Sequence, residues 1–163
     1  MRSYPGLLTG TFMVRQLRPW FANISKRQVR APKVYLRDSG LLHGLLGLPD
    51  RSSLLAHPRV GASWEGFAIE QALSVIRPAE AYFWATHGGA ELDLLRFHHG
   101  RRYGLEANFS EAPEVTRSMH IALDTLALDH LWVLHPGPHT YPVDEKITMC
   151  AVSDLLSLAS QIL

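Results

Sequence analysis

Between Gly61 and Val152 the hydrophobic period of the chain changes from helical to alternating and back again. That succession restricts the fold to a sheet with helices packed on it. From Gly61 to Ile76, Trp64, Phe67, Ala68, Ala72, Val75 and Ile76 recur at helical spacing and Pro78 lies just beyond, which predicts a helix with one buried face. Three strands are expected next, over 81–86, 91–98 and 102–109, separated by a turn at His87-Gly88-Gly89 and another at Gly100. Pro113 opens a second amphipathic helix over about 114–128. The apolar strand 131–134, a Pro-Gly-Pro loop, an extended stretch near 147–152 and a terminal helix capped at Ser153 or Asp154 complete the order. The expected class is α/β, a mixed sheet flanked by helices.

Ahead of this body lies a segment of different character. The first 37 residues hold eight of the 16 basic residues and no acid, while the remainder carries eight bases against 15 acids, so a net charge of +1 conceals a front of about +8 and a body of about −7. Residues 11–20 read as a strand interrupted by Pro19, 21–27 as a turn and 33–37 as a second strand. Asp38 or Ser39 is placed to cap a short helix over 41–46. Residues 47–60, with Gly47, Pro49, Asp50, two serines and Pro58, read as a loop-rich connection. The expected division is therefore a basic hairpin-plus-helix connector over 1–50 and an α/β domain over 51–163. The basic segment is suited to phosphate or to an acidic surface, on its own chain or on a partner.

Several classes of function are disfavoured. One cysteine, Cys150, permits no internal disulfide framework and no cysteine-based zinc site, which leads us to expect a reducing, cytoplasmic setting. The N-terminus lacks the apolar run of a signal peptide, and there is no stretch of about 18 apolar residues to span a membrane, so no membrane association is expected. His98-His99 would point to opposite faces of a strand, and His135 and His139 bracket Pro136-Gly137-Pro138, so neither pair has the geometry of a zinc site.

Chemistry is expected at one place. Glu91 and Asp93 alternate with Leu92 and Leu94, which sends both carboxylates to one face of the strand and both leucines to the other. Glu106 lies on the next antiparallel strand, and a short turn near Gly100 sets it across from Asp93. Two converging carboxylates repel unless a proton or a hard divalent cation lies between them, and such an oxygen-rich pair suits Mg²⁺ or Mn²⁺. The alternative is a pair of solvated carboxylates on an open sheet face.

The acid on one strand and the Glu-x-x pattern on the next resemble the restriction-endonuclease-like PD-(D/E)xK superfamily. Longer strings carry a more specific resemblance: Arg18-Pro19-Trp20, Ala31-Pro32-Lys33-Val34-Tyr35, Asp38-Ser39-Gly40-Leu41-Leu42, Gly61-Ala62-Ser63-Trp64-Glu65-Gly66-Phe67 and Glu91-Leu92-Asp93. These are similar to domain of unknown function 4143, which follows an AAA-type ATPase module in bacterial and archaeal ATP-binding proteins. The resemblance implies a restriction-endonuclease-like body with acidic positions Glu65, Asp93 and Glu106, the last two binding metal, and a winged-helix-like connector. It also implies an ATPase module as partner, while the charge of the front segment makes Arg15, Arg18, Lys26, Arg27, Arg30 and Lys33 the expected nucleic-acid-binding cations, with DNA or another protein as the partner of that segment.

Two departures qualify it. No G-x-x-x-x-G-K-[ST] loop occurs, so the chain has no ATP site and resembles only the downstream part of such a protein. The lysine position of the E-x-K motif is Asn108, and neither Lys26, Lys33 nor Lys146 is placed by sequence beside the strand pair. Arg117 is a neighbouring source of charge but not of a base. The expected function is thus a catalytically degenerate nuclease-fold domain acting in nucleic-acid or protein association. The alternative is a Mg²⁺-dependent DNA nuclease using Asp93 and Glu106.

Overall fold

The computed structural model describes residues 8–21, 28–78 and 80–162. Among them, eight strands form one mixed sheet: β1 (Val14–Pro19), β2 (Lys33–Leu36), β3 (Ala81–Ala85), β4 (Glu91–His98), β5 (Arg101–Ala107), β6 (His130–His135), β7 (Tyr141–Asp144) and β8 (Ile147–Ala151), in the order β2-β1-β3-β4-β5-β6-β8-β7. Strands β3, β4 and β5 are antiparallel neighbours, whereas β5-β6 and β6-β8 are parallel. The helices are α1 (Ser39–Leu45), α2 (Arg51–Ala56), α3 (Val60–Ile76), α4 (Arg117–Leu126) and α5 (Leu155–Ile162). None of them is long and apolar enough to cross a membrane.

Both sheet faces are covered. On one, Ala68, Ile69, Ala72, Leu73 and Ile76 of α3, with Leu155 and Leu158 of α5, pack against Leu17, Phe83, Leu94, Leu105 and Leu134. On the other, Met119, Ala122 and Leu126 of α4 lie on Trp84, Leu92, Leu95, Leu131, Val133 and Met149. Each of these large side chains contributes roughly 1.5–3 kcal/mol by leaving water. Burial on both faces also explains why β6 reads as an apolar run.

The local elements follow from identifiable residues. Asp38 caps α1 by accepting the Leu41 amide at 2.9 Å, and Thr116 caps α4 by accepting the Met119 amide at 3.3 Å. His99 and Gly100 both have positive φ, 47° and 77°, as a two-residue turn with right-handed strand twist requires, and this sets the register of β4 on β5. Two elements differ from the sequence reading. The connection 47–60 contains α2, because Asp50 accepts the Ser53 amide at 2.8 Å and starts a helix where serines and proline suggested a loop. Strand β7 is a short stretch after the Pro-Gly-Pro loop; all four of its residues are exposed, as an edge strand allows.

The basic front segment joins the sheet. Strand β1 pairs antiparallel with β2 and parallel with β3, so the hairpin extends the sheet that α3 covers. Its charges are met by acids of the body: Glu70 of α3, buried at 8% exposure, pairs with Arg15 and accepts from Arg37 at 3.1 Å. The two guanidiniums offset the cost of burying that carboxylate.

Glu70→Ala is expected to lower the stability of the whole chain by about 2 kcal/mol, since Arg15 and Arg37 are themselves part-exposed and regain water. Urea unfolding monitored by circular dichroism measures this; an unchanged midpoint would show that the hairpin is held by its sheet pairing alone.

Candidate metal centre

The site forms where β4 and β5 part. Leu94↔Leu105 is the last backbone pair of their ladder, and one step beyond it Asp93 and Glu106 stand opposite each other. Side chains replace the missing backbone bonds there. The Asp93 carboxylate accepts the Ala107 amide at 3.0 Å, and the Glu106 carboxylate accepts the Asp93 amide at 3.3 Å.

A bulge in β4 aims the aspartate. Tyr82 pairs with Leu95 but Trp84 pairs with Leu92, so β4 carries one extra residue across that interval. Strict alternation would send Leu92 and Leu94 to the same face. Instead Leu92 packs on the α4 side and Leu94 on the α3 side, a correction to the sequence reading. Asp93 turns towards α3 and is 3% exposed. Oxygens of Glu91, Asp93 and Glu106 all lie within 4.8 Å of one another.

The cation facing this set comes from the front of the chain. Lys33, at the start of β2, places its Nζ 2.6 Å from Asp93 Oδ1, 2.8 Å from Glu65 Oε1 and 4.0 Å from Glu91 Oε2. Tyr35 is two residues on and leaves β2 on the same side; its hydroxyl donates to Glu65 Oε1 at 2.6 Å. Glu65, on the second turn of α3, is thereby fixed between the hairpin and the strand pair. Sequence spacing gave no indication of Lys33, because 60 residues separate it from Asp93. The cue was the string Pro32-Lys33-Val34-Tyr35, two polar tips on one face of an otherwise apolar strand.

The electrostatics follow from burial and proximity. Burial, and then the Glu65 charge, push Asp93 up to about 6 despite Lys33 beside it. Burial, followed by the charges of Asp93 and Glu91, holds Glu106 well above the usual carboxylate range. Burial acts to raise Glu65 as well, but the Lys33 ammonium and the hydrogen bonds from Lys33 and Tyr35 outweigh it, and Glu65 lies low. For Lys33 burial acts downward, yet Asp93 and Glu65 prevail and raise it, so it stays charged. Burial and then Glu65 raise Tyr35, which remains a donor. The donors are all carboxylate oxygens, the set a hard divalent cation prefers.

The other expected residues are dispersed. Asn108 continues the sheet, its amide donating to the Leu134 carbonyl at 2.9 Å, and alternation puts its side chain on the side of Glu106. Arg117 opens α4 next to Ser118, whose hydroxyl accepts from the Glu91 amide at 2.9 Å and donates to its carbonyl at 3.2 Å. Among the described residues no ion pair joins Arg117 to the acids. Of the basic set, Arg15 is committed to Glu70 and Lys33 to the acidic cluster, while Arg18 and Arg30 are exposed. Lys26 and Arg27 lie outside the described residues. Trp20 packs against Tyr82 and Phe97, with ring centroids 5.2 and 4.7 Å away.

Comparison with known proteins places the chain in a family. The domain of unknown function DUF4143 matches residues 60–155, and the chain belongs to that family; a second domain of unknown function, DUF8612, matches residues 1–52. An uncharacterized protein of Mycobacterium tuberculosis and another of Mycobacterium bovis are each 45% identical over 159 residues, 98% of this chain and 36% of theirs. The chain thus spans about a third of the length of these curated relatives. No solved structure matches.

A cation entering the cluster competes with the protons that burial keeps on Asp93 and Glu106, so affinity must rise with pH. Calorimetric titration is expected to show Mn²⁺ binding at least about tenfold tighter at pH 7.5 than at pH 5.5, with proton release on binding. Affinity independent of pH across that window would show that these two carboxylates are not the ligands.

Proposed function

We propose that this member of the DUF4143 family is a divalent-cation-dependent phosphodiesterase of restriction-endonuclease-like, PD-(D/E)xK fold, with DNA as substrate. The observation that carries the reading is the convergence of Glu91, Asp93 and Glu106 within 4.8 Å beside an ammonium that remains charged. The order α3, β3, β4, β5, α4, β6, with the first three strands antiparallel and β6 parallel to β5, supports it, as does the acid on each of α3, β4 and β5.

The carboxylates fit Mg²⁺ or Mn²⁺: Asp93 and Glu106 are anchored by backbone amides, and Glu91 is exposed at the rim. A bound cation would polarise a phosphoryl oxygen and lower the pKa of a water. The chain's own part is to hold Asp93 and Glu106 at the mouth of a strand gap and to tie Glu65 by Tyr35 and Lys33. It also leaves Glu91 reachable from solvent. Partnership with an ATPase module belongs to the same reading.

A second reading has its own observation. Lys33 makes direct ion pairs with Asp93 and Glu65, so the cluster is already partly neutralised by an internal cation. In that case the domain is a catalytically silent association module. The two readings separate in a nicking assay on supercoiled DNA with Mn²⁺. The first expects cleavage by the native chain and a loss of about a hundredfold or more in Asp93→Ala/Glu106→Ala. A folded native chain that neither binds Mn²⁺ nor cleaves would establish the second.

A further inference from the structure

We infer that Lys33, from the N-terminal hairpin, is the catalytic cation of this site and contacts the substrate phosphate; this rests on the phosphodiesterase reading above. Phosphoryl chemistry beside several carboxylates faces a charge problem, because the anionic substrate must approach Glu65, Glu91, Asp93 and Glu106 together. Lys33 is the cation that the described residues place within hydrogen-bonding distance of this cluster.

Its bonding leaves capacity for a ligand. An ammonium has three N–H donors. Two are used, on Asp93 Oδ1 at 2.6 Å and Glu65 Oε1 at 2.8 Å, whereas Glu91 Oε2 at 4.0 Å is beyond hydrogen-bonding distance. Lys33 accordingly has a third N–H with no oxygen acceptor within hydrogen-bonding distance among the described residues; its ammonium also lies 5.7 Å from the Phe83 ring centroid, on a side chain 21% exposed and next to the exposed Glu91. Fixed by two carboxylates, the ammonium keeps its direction without a ligand, which lowers the reorganisation needed when a phosphate arrives.

The chemistry assigned to it is electrostatic. In hydrolysis a bond forms from the water oxygen to phosphorus, the bond from phosphorus to the leaving sugar oxygen breaks, and one of the two water protons ends on that leaving oxygen. Lys33 keeps its proton throughout and donates a hydrogen bond to a non-bridging phosphoryl oxygen as charge builds there. Asn108, which follows β5 two residues after Glu106, has no charge for that task. A consequence for organisation follows. The DUF4143 match begins at residue 60, so the site's cation comes from the segment matched by DUF8612, and the two segments share one site.

The test is DNA nicking and Mn²⁺ calorimetry on the full chain and three variants, Lys33→Met, Lys33→Arg and Lys33→Met/Asn108→Lys, each checked for folding by circular dichroism. Lys33→Met is expected to cut nicking by about a hundredfold or more while Mn²⁺ binding is retained or tightened, because a competing charge has left Asp93. Lys33→Arg should retain part of the activity. The double variant should recover at least about tenfold over Lys33→Met, since it returns an ammonium to the Glu106 side; a purely structural role for Lys33 would not be rescued from position 108. Native activity with an unaffected Lys33→Met, or a double variant as inactive as the single one, overturns the assignment alone. Absence of nicking by a folded, Mn²⁺-binding native chain instead overturns the phosphodiesterase reading and the assignment with it.

Discussion

Four carboxylates gathered at the end of one strand pair cannot stay together in a folded chain without compensation, and the ammonium of Lys33 provides part of it. Its two short contacts join β2, α3 and β4, which are far apart in sequence and adjacent in space. Burial raises Asp93 and Glu106, while the Lys33 ammonium and the hydrogen bonds from Lys33 and Tyr35 hold Glu65 low. The cluster therefore contains opposed tendencies: two carboxylates raised by burial and one lowered by its partners.

The same logic explains the charge asymmetry of the chain. A front of eight bases without an acid would repel itself as a free arm. Here Arg15 and Arg37 close on Glu70, and Lys33 closes on Glu65 and Asp93. Of the destinations open to a basic segment, the acidic surface of its own chain accounts for these three, and among the described residues Arg18 and Arg30 are exposed. Sheet pairing of β1 on β3 supplies the scaffold, and the ion pairs fix which side chains meet.

The bulge in β4 is the second constraint. Without the extra residue between the Leu92 and Leu95 pairings, Leu94 would share the α4 face with Leu92. With it, Asp93 and Leu94 both turn to the α3 side, and both are buried. Backbone amides of Asp93 and Ala107, released from the ladder at that point, bind the carboxylates instead. The bulge against β3 and the end of the ladder with β5 together orient the two carboxylates.

Most of the element order was readable from hydrophobic period alone, because a helix with one buried stripe and strands at hairpin spacing are local patterns: α3, β3 to β6 and α4 all fall close to their expected places. The opposition of Asp93 and Glu106 was readable too, since a two-residue turn at His99-Gly100 sets register by counting. Helix α2 and strand β7 were not, as their residues carry caps or edge exposure rather than period. The aim of Leu94 depended on a bulge, which leaves no mark in an alternating string. The place of Lys33 depended on packing across 60 residues, and which of three lysines meets an acid is decided by summed contacts over whole faces of sheet and helix. Sequence by itself determined the elements and the acids, because both are set by neighbours a few positions away; only the tertiary structure decided which cation serves them, because that choice is made by long-range packing and charge.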